Sequence, residues 1–434
     1  MPDRRGKRTS FSKGWGIGAA LLTTALVGAC FPQQYDLSYF APVAVGNGAR
    51  ALGMGGACVA VVSDGMAAAV NPAALSRIAG SQALVVGRFT FGVLSVQPSS
   101  PLPADVSLEG SLGSNLVPEY VGIVFPVSTV RRRITGALAV RGMVDFGRST
   151  LFRRIVGHEF PINNYRDVEQ TSTGGLYALS AALGAELNNR LAAGVTINFL
   201  SGRQRVEWAD RTAEEGVERQ QESWRRENKF SGFSLDVGST ATVSRFLDIG
   251  LKLSLPHTLT FVRPTLVTNG VDSTSPDLNL KVPMFFTIGA AVRPSQRLCL
   301  AFDFHWATWS RASLDSAITV PGLPLADANS LHVGLEYLVP VKEVVLPVRV
   351  GFHTDPRLER QFATERPDHR GDPIRGLAFS AGAGIQSSPV SFDLSVDFGL
   401  SDYTGRNVFE EQAQGWSVKE RAVRVVFAVQ VKVQ

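Results

Sequence analysis

The feature that most constrains this chain is a period-two texture that begins near residue 83 and persists to the end. Val390, Phe392, Leu394, Val396, Phe398 and Leu400 alternate with Ser391, Asp393, Ser395, Asp397 and Gly399. Leu247, Ile249, Leu251, Leu253 and Leu255 alternate with Asp248, Gly250, Lys252 and Ser254, and Leu298, Leu300, Phe302, Phe304 and Trp306 do so with Cys299, Ala301, Asp303 and His305. In a strand successive side chains point to opposite faces, so this texture writes one greasy face and one wet face. About fourteen such segments occur, most of them roughly ten residues long, the length a tilted strand needs to span a bilayer.

The connections between the segments alternate in length. Long ones fall near 94–117, 145–174, 201–230, 257–281, 310–328, 354–375 and 401–420, with short ones such as Asn188–Asn189 and Ser244–Arg245 between them. Long loops on one rim and tight turns on the other are the mark of an outer-membrane barrel. The expected fold is therefore all-β: a transmembrane antiparallel up-and-down β-barrel of about 14 strands in the outer membrane of a Gram-negative-type bacterium. A mean hydropathy of +0.07 and the absence of any apolar run of 18 residues exclude a bundle of membrane-spanning helices.

Residues 1–29 read as a signal peptide: Arg4, Arg5, Lys7, Arg8 and Lys13, a short apolar core from Ile17 to Val27, then small residues before Cys30. Those 29 residues hold five Lys/Arg and one Asp, so of the chain's net +5 only about +1 remains beyond them. A nucleic-acid partner, which needs a lasting positive surface, is not expected. Cys30, in Leu26-Val27-Gly28-Ala29-Cys30, is a candidate for lipidation; ordinary cleavage would leave it a free thiol. With Cys58 and Cys299 it makes an odd set of three, which argues against a disulfide framework.

Residues 30–82 form an expected hatch or plug, and 83–434 the barrel. The run Gly46-Asn47-Gly48-Ala49-Arg50-Ala51-Leu52-Gly53-Met54-Gly55-Gly56-Ala57 carries too many glycines for a helix interior or a packed strand. It lacks the Lys-Ser/Thr of a phosphate loop. Asp64–Ala69 is expected to make a helical turn that Asn71-Pro72 stops. In the connection at 203–230, mixed charges at helical spacing predict a solvated surface helix, with contact to lipopolysaccharide phosphates or a lid as its functional reading.

The segment Gly48, Arg50, Gly53, Gly55, Gly56, then Asp64, then Asn71-Pro72-Ala73, resembles the N-terminal hatch of the FadL/TodX-type transporters. Val282-Pro283, Gly289-Ala290, Arg293-Pro294, Asp303, Trp309-Ser310 and Arg349-Val350-Gly351-Phe352 resemble later strands of that family. The resemblance implies a barrel occluded by a hatch, passive uptake of long-chain fatty acids or aromatic hydrocarbons, and lateral release beside an irregular third strand. That strand would lie near Ile134–Val144, with Gly136 and Gly142 as its weak points. The chain ends Val431-Lys432-Val433-Gln434, without a terminal aromatic. This, with Cys30, keeps open a PorV-like scaffold or shuttle in protein secretion. Expected partners are a hydrophobic small-molecule ligand, outer-membrane lipid and lipopolysaccharide, and the barrel-assembly machinery.

Ionisable residues on predicted inward positions, among them Asp236, Lys252, Asp303, Glu336, Asp393, Asp397 and Arg424, suit a wet lumen. Arg88 and Arg349 are the candidates for meeting a substrate carboxylate, because a guanidinium binds one in two-pronged fashion. His305, His332 and His353 fall on inward positions of three successive strands, where imidazoles converging on a metal would be one outcome. No cofactor is expected, and no Gly-x-Ser-x-Gly, His-Glu-x-x-His or Cys-x-x-Cys motif points to an enzyme.

Overall fold

A computed structural model describes residues 48–98, 108–128, 133–156, 164–214, 217–268, 270–315, 325–361, 371–406 and 415–433. The signal-peptide and Cys30 expectations lie outside them. Nineteen strand segments form one antiparallel sheet. In chain order they are β1 (Ser81–Pro98), β2 (Leu108–Ser128), β3 (Ile134–Asp145), β4 (Arg148–Val156), β5 (Asn164–Glu186), β6 (Leu191–Glu214) and β7 (Val217–Ser244). Then come β8 (Leu247–Ser254), β9 (His257–Thr268), β10 (Val271–Thr274), β11 (Leu278–Val282), β12 (Phe285–Val292), β13 (Leu298–Ala307) and β14 (Ser313–Asp315). The last are β15 (Ser330–Val341), β16 (Val344–Arg360), β17 (Pro373–Gln386), β18 (Val390–Arg406) and β19 (Gly415–Val433).

Four pairs of segments run end to end as one stave each, and β10 is a short return on β9, so the wall has 14 strands. Prolines mark two of the breaks: Pro256 between β8 and β9, and Pro283 between β11 and β12. The first strand pairs with the last, from Ser81↔Val433 to Pro98↔Trp416, which closes the barrel.

The alternation resolves as the sequence reading requires. Phe89, Ile123, Leu183, Phe199, Phe302, Val350, Phe379 and Phe398 are exposed on the outside, while Ser180, Thr196, Asp236, Asp303, Ser380 and Ser395 are buried within. Exposed apolar side chains on a closed sheet are a lipid-facing belt. The belt occupies the rim with the short turns.

On the other rim the strands run far past it. β5, β6 and β7 have 23, 24 and 28 residues, against about ten for a bilayer crossing. The helix expected at 203–230 is therefore corrected. Those residues continue β6 and β7 as a hairpin, with Arg205 opposite Glu227 and Glu207 opposite Arg225. Beyond the lipid both faces of a sheet tolerate charge. Period two then fades, and opposite signs meet across strands rather than along a helix.

Residues 48–80 lie inside the cylinder, since they bond to strands around its whole circumference. They contain single helical turns at Ala49–Gly53 and Ala67–Val70 and a 3-10 turn at Pro72–Arg77. The first turn forms within the glycine-rich run despite its composition. Gly55 and Gly56, at φ 63° and 84°, then reverse the chain. Elements this short do not hold themselves; the wall holds them.

Candidate functional site

The inner segment is seated by polar groups aimed inward from the wall. Arg50 donates Nε and a terminal nitrogen to Glu336 of β15, at 3.0 and 2.8 Å. Ser395 of β18 donates to the Ala49 carbonyl at 2.5 Å, and Gly55 N–H donates to Ser380 of β17 at 3.0 Å. The Asp303 carboxylate on β13 accepts both Cys58 and Val59 N–H, at 2.7 and 2.8 Å.

On the opposite side Tyr120 of β2 donates to the Gly65 carbonyl at 2.7 Å. The Ala67–Val70 turn ends on three donors: Thr196 reaches the Ala68 carbonyl at 2.8 Å, while Lys252 and Arg141 reach that of Ala69 at 2.7 and 3.2 Å. Carbonyls at a helix C-terminus lack internal partners and carry partial negative charge, so two cations there are well placed. Asp236 neutralises both, at 3.1 Å from Arg141 and 3.5 Å from Lys252. Asn71 caps the 3-10 turn by accepting Ala73 N–H at 3.2 Å and donates to the wall at Ser239, 3.1 Å away.

Glycines in the wall make room for this backbone, and sequence reading did not single them out as a set. Gly184 and Gly194 are cross-strand partners, as are Gly194 and Gly238, Gly250 and Gly289, and Gly334 and Gly351. A Cβ on Gly184 or Gly194 would collide with Pro72, on Gly238 with Asn71, on Gly250 with Val59, and on Gly334 or Gly351 with Met54 or Gly55. A strand glycine where another backbone approaches closely is the signal that could have revealed them. The fit is uneven: the cavity between the inner segment and β1, β18 and β19 holds about 20 Å³, room for about one water, whereas a cavity of about 410 Å³ opens between Arg50, Ser63 and Arg77 and the short-turn ends of β8, β12, β13 and β15.

The sequence-predicted residues fall as follows. Of the hatch set, Gly48, Arg50, Gly53, Gly55, Gly56, Asp64, Asn71, Pro72 and Ala73 all belong to the inner segment, and Asp64 turns the chain by accepting Met66 N–H at 2.9 Å. Arg349 is fully buried between Glu336, 2.7 Å away, and Asp393. That leaves it braced within the wall rather than presented to a ligand. Arg88 lies within 3.9 Å of Glu119 on β2 and 3.5 Å of Asp145 on β3.

His305, His332 and His353 do converge, with ring centroids 4.6 and 5.4 Å apart in that order. Both nitrogens of the middle ring are engaged, His332 having the Gly55 carbonyl at 2.6 Å and Ser330 at 2.8 Å; His305 has Thr287 at 3.0 Å on Nδ1, while His305 Nε2 and His353 Nδ1 have no hydrogen-bond partner among the described residues. Among the described residues no group of three His, Cys, Asp or Glu is arranged to hold a metal. Gly136 sits on the outer face under the Phe125 ring. Gly142 sits where the pairing of β3 with β5 skips Met143.

The full break in the third stave comes just beyond, at Phe146-Gly147 between β3 and β4. It coincides with a gap in the ladder toward β2. Pairs run from Ser128↔Ile134 to Tyr120↔Arg141 and resume only at Glu109↔Arg153. Among the described residues no ladder pair joins 110–119 to 142–152, although each side stays paired to its other neighbour. This interruption of the ladder is a slot in the hydrogen bonding, narrow at its lower end, where a Cβ on Gly142 would lie 3.7 Å from the Pro118 and Glu119 backbone.

Phe146 itself is fully buried. It belongs to an apolar cluster with Leu200, Phe230, Phe261, Leu280 and Trp309, and its ring stacks on Phe230 at 5.3 Å, with Phe261 at 4.9 Å from Phe230. These side chains point inward on the long-loop side of the seat. They are almost wholly buried and fill the interior above the inner segment with hydrocarbon, and the slot lies beside them.

Fold and site together define an outer-membrane β-barrel closed by an inner segment. Among solved structures the chain is similar to the CymD monoaromatic hydrocarbon channel, with 13% identity over 90% of this chain and 99% of that one, at a TM-score of 0.57. It is similar to a Pseudomonas aeruginosa FadL homologue, with 14% identity over 91% and 99%, at 0.58. It is also similar to the Ralstonia pickettii toluene transporter TbuX, with 14% identity over 90% and 100%, at 0.55. The fold is the FadL/TodX type. No protein-family model and no curated protein matches the chain by sequence.

Proposed function

We propose that this protein is a channel for passive uptake of hydrophobic small molecules across the outer membrane, with residues 48–80 as its hatch. The observation that carries the reading is the slot between β2 and the third stave, opening beside the apolar cluster around Phe146 and Phe230. An apolar ligand entering from the long-loop side meets hydrocarbon, which binds by area rather than by polar contacts. It then meets a hatch held across the barrel by its polar seat. Leaving sideways through the slot, it passes from an apolar lumen into lipid without crossing water. Similarity of fold to proteins named as aromatic hydrocarbon channels and toluene transporters supports the same reading.

Arg88, set between Glu119 and Asp145, ties together the two lips of the slot at its lower end. The substrate class is read from the apolar cluster: its rings suit aromatic hydrocarbons as well as acyl chains, and Arg50, Arg141 and Arg349 of the seat already face carboxylates of the wall. The test is uptake of toluene and of a long-chain fatty acid at low concentration by cells lacking the gene and by complemented cells. Complementation is expected to restore uptake of at least one. Unchanged uptake together with failed protein export would instead favour the secretion scaffold.

A further inference from the structure

Above the lipid-facing belt, β6 and β7 present a cationic pair whose placement has a cost and which, among the described residues, has no ion-pair partner. Arg203 and Lys229 are direct cross-strand partners, and both side chains are exposed on the outer face. Like charges directly opposite on a sheet repel.

The nearest carboxylates lie further out and are engaged: Glu227, on the next outward-facing rung, takes Arg225 at 3.6 Å, and Glu207, one such rung beyond, takes Arg205 at 2.6 Å. The flanking positions in register are Gly175 on β5 and Val262 on β9, which bring no negative charge. The height of the pair is fixed by its neighbours. Phe199 and Phe233, ring centroids 5.7 Å apart, are the last apolar pair of the belt on these strands. Ser201 and Ser231 follow, with Tyr177 beside Ser201, and a tyrosine at that level is typical of the membrane interface. Arg203 and Lys229 stand four residues beyond the phenylalanines, about 13 Å along the strands, on the long-loop side. That is where the headgroups of the outer leaflet lie.

We propose that Arg203 and Lys229 form a binding site for a phosphate group of an outer-leaflet lipid. The guanidinium and ammonium together donate to the phosphate oxygens, and the anion relieves the repulsion between them. A lipid phosphate rather than a dissolved one is the ligand, because the pair faces outward in the rung where the apolar belt ends. The site is independent of what the lumen carries.

Binding of bisphosphorylated lipid A to the purified full chain in detergent tests this, with dephosphorylated lipid A and inorganic phosphate as comparisons. The phosphorylated lipid is expected to bind about tenfold tighter than its dephosphorylated form. The double variant Arg203→Gln/Lys229→Gln is expected to lose that preference, while Arg219→Gln, elsewhere on the same hairpin, keeps it. In detergent without lipid the double variant is expected to melt no lower than wild type, since a repulsion has been removed, and this separates lost binding from lost folding. Equal binding by the double variant, equal binding of the dephosphorylated lipid, or displacement of the lipid by an equal concentration of inorganic phosphate would each overturn the assignment.

Discussion

Arg50 and Glu336, 286 positions apart in the chain, meet in a two-pronged ion pair that joins the inner segment to the barrel wall. Glu336 also holds Arg349, so one carboxylate serves a cation from each body. Removing one partner of a buried pair strands the other charge and costs roughly 3–5 kcal/mol. Arg50→Ala is therefore expected to loosen the seat without unfolding the wall. Conductance across planar bilayers should rise while the barrel keeps its heat-modifiable mobility on gels. Glu336→Gln strands two arginines and should do more damage to stability. Conductance unchanged in Arg50→Ala would show that the ion pair does not hold the segment.

The wall glycines give a second handle on the same contact. A Cβ at Gly351 would overlap the backbone at Gly55, and backbone cannot swing aside as a side-chain tip can. Gly351→Val should displace the inner segment and expose it to protease, with the barrel core still resistant. Gly136→Ala, whose Cβ would meet only side chains on the outer face, should leave the protease pattern as in wild type. The comparison is read by limited proteolysis of the two variants side by side.

What the sequence made legible follows from where lipid and water impose a pattern. Within the belt, a residue such as Phe398 must face hydrocarbon and its neighbour Asp397 must not, so alternation survived and the fourteen strands could be counted. In Arg203–Lys229 no lipid enforces that rule, and charges that pair across a hairpin looked like charges along a helix. The inner segment was recognisable by resemblance, but its seat was not. Asp303 and Ser395 are ordinary inward polar residues until their distant backbone partners are known. The same holds for Arg349: an inward guanidinium looks free until Glu336 and Asp393 are seen against it. A glycine such as Gly142 stands out within a strand, whereas Phe146, the residue at the break, gives no signal because an apolar residue in a strand is unremarkable.

Phe146 is where chemistry and selectivity should be most sensitive to change. Truncating a fully buried phenylalanine costs roughly 3–5 kcal/mol, yet the stave is already broken there, so the barrel should still assemble. Phe146→Ala enlarges the apolar space beside the slot and should speed uptake of bulkier hydrophobic compounds relative to toluene. Phe146→Trp should slow both. Uptake rates measured for a size series decide it: a uniform loss in both variants would mean that Phe146 only packs the wall.

Arg88 bears on the slot from its lower end. Its guanidinium faces a carboxylate on each lip, and at 3.5 to 3.9 Å these are loose pairs that can part without great cost. Arg88→Gln removes the tie and should raise the rate of lateral release while leaving ligand affinity for the lumen unchanged. Titration of a fluorescent hydrophobic probe gives the affinity, and cellular uptake gives the rate. A fall in affinity with no change in rate would place Arg88 in the binding pocket instead.

For the three histidines, two structural roles make opposite predictions. A metal needs a free nitrogen lone pair on each ring. His332 has its Nδ1 on the Gly55 carbonyl, which can only accept, so that nitrogen carries the proton, and Nε2 is left to accept from the Ser330 hydroxyl. Both nitrogens of the middle ring are thereby occupied, one of them on the inner segment itself. The trio is then part of the seat, and chelators should alter neither the melting temperature nor the conductance of the purified protein. His332→Phe keeps the ring stack but leaves the Gly55 carbonyl without its donor, a loss of about 1–3 kcal/mol for a buried polar group. It should raise conductance as Arg50→Ala does. Stoichiometric zinc in the purified chain, lost together with closure on chelation, would reverse the assignment and make the same three rings a metal clasp.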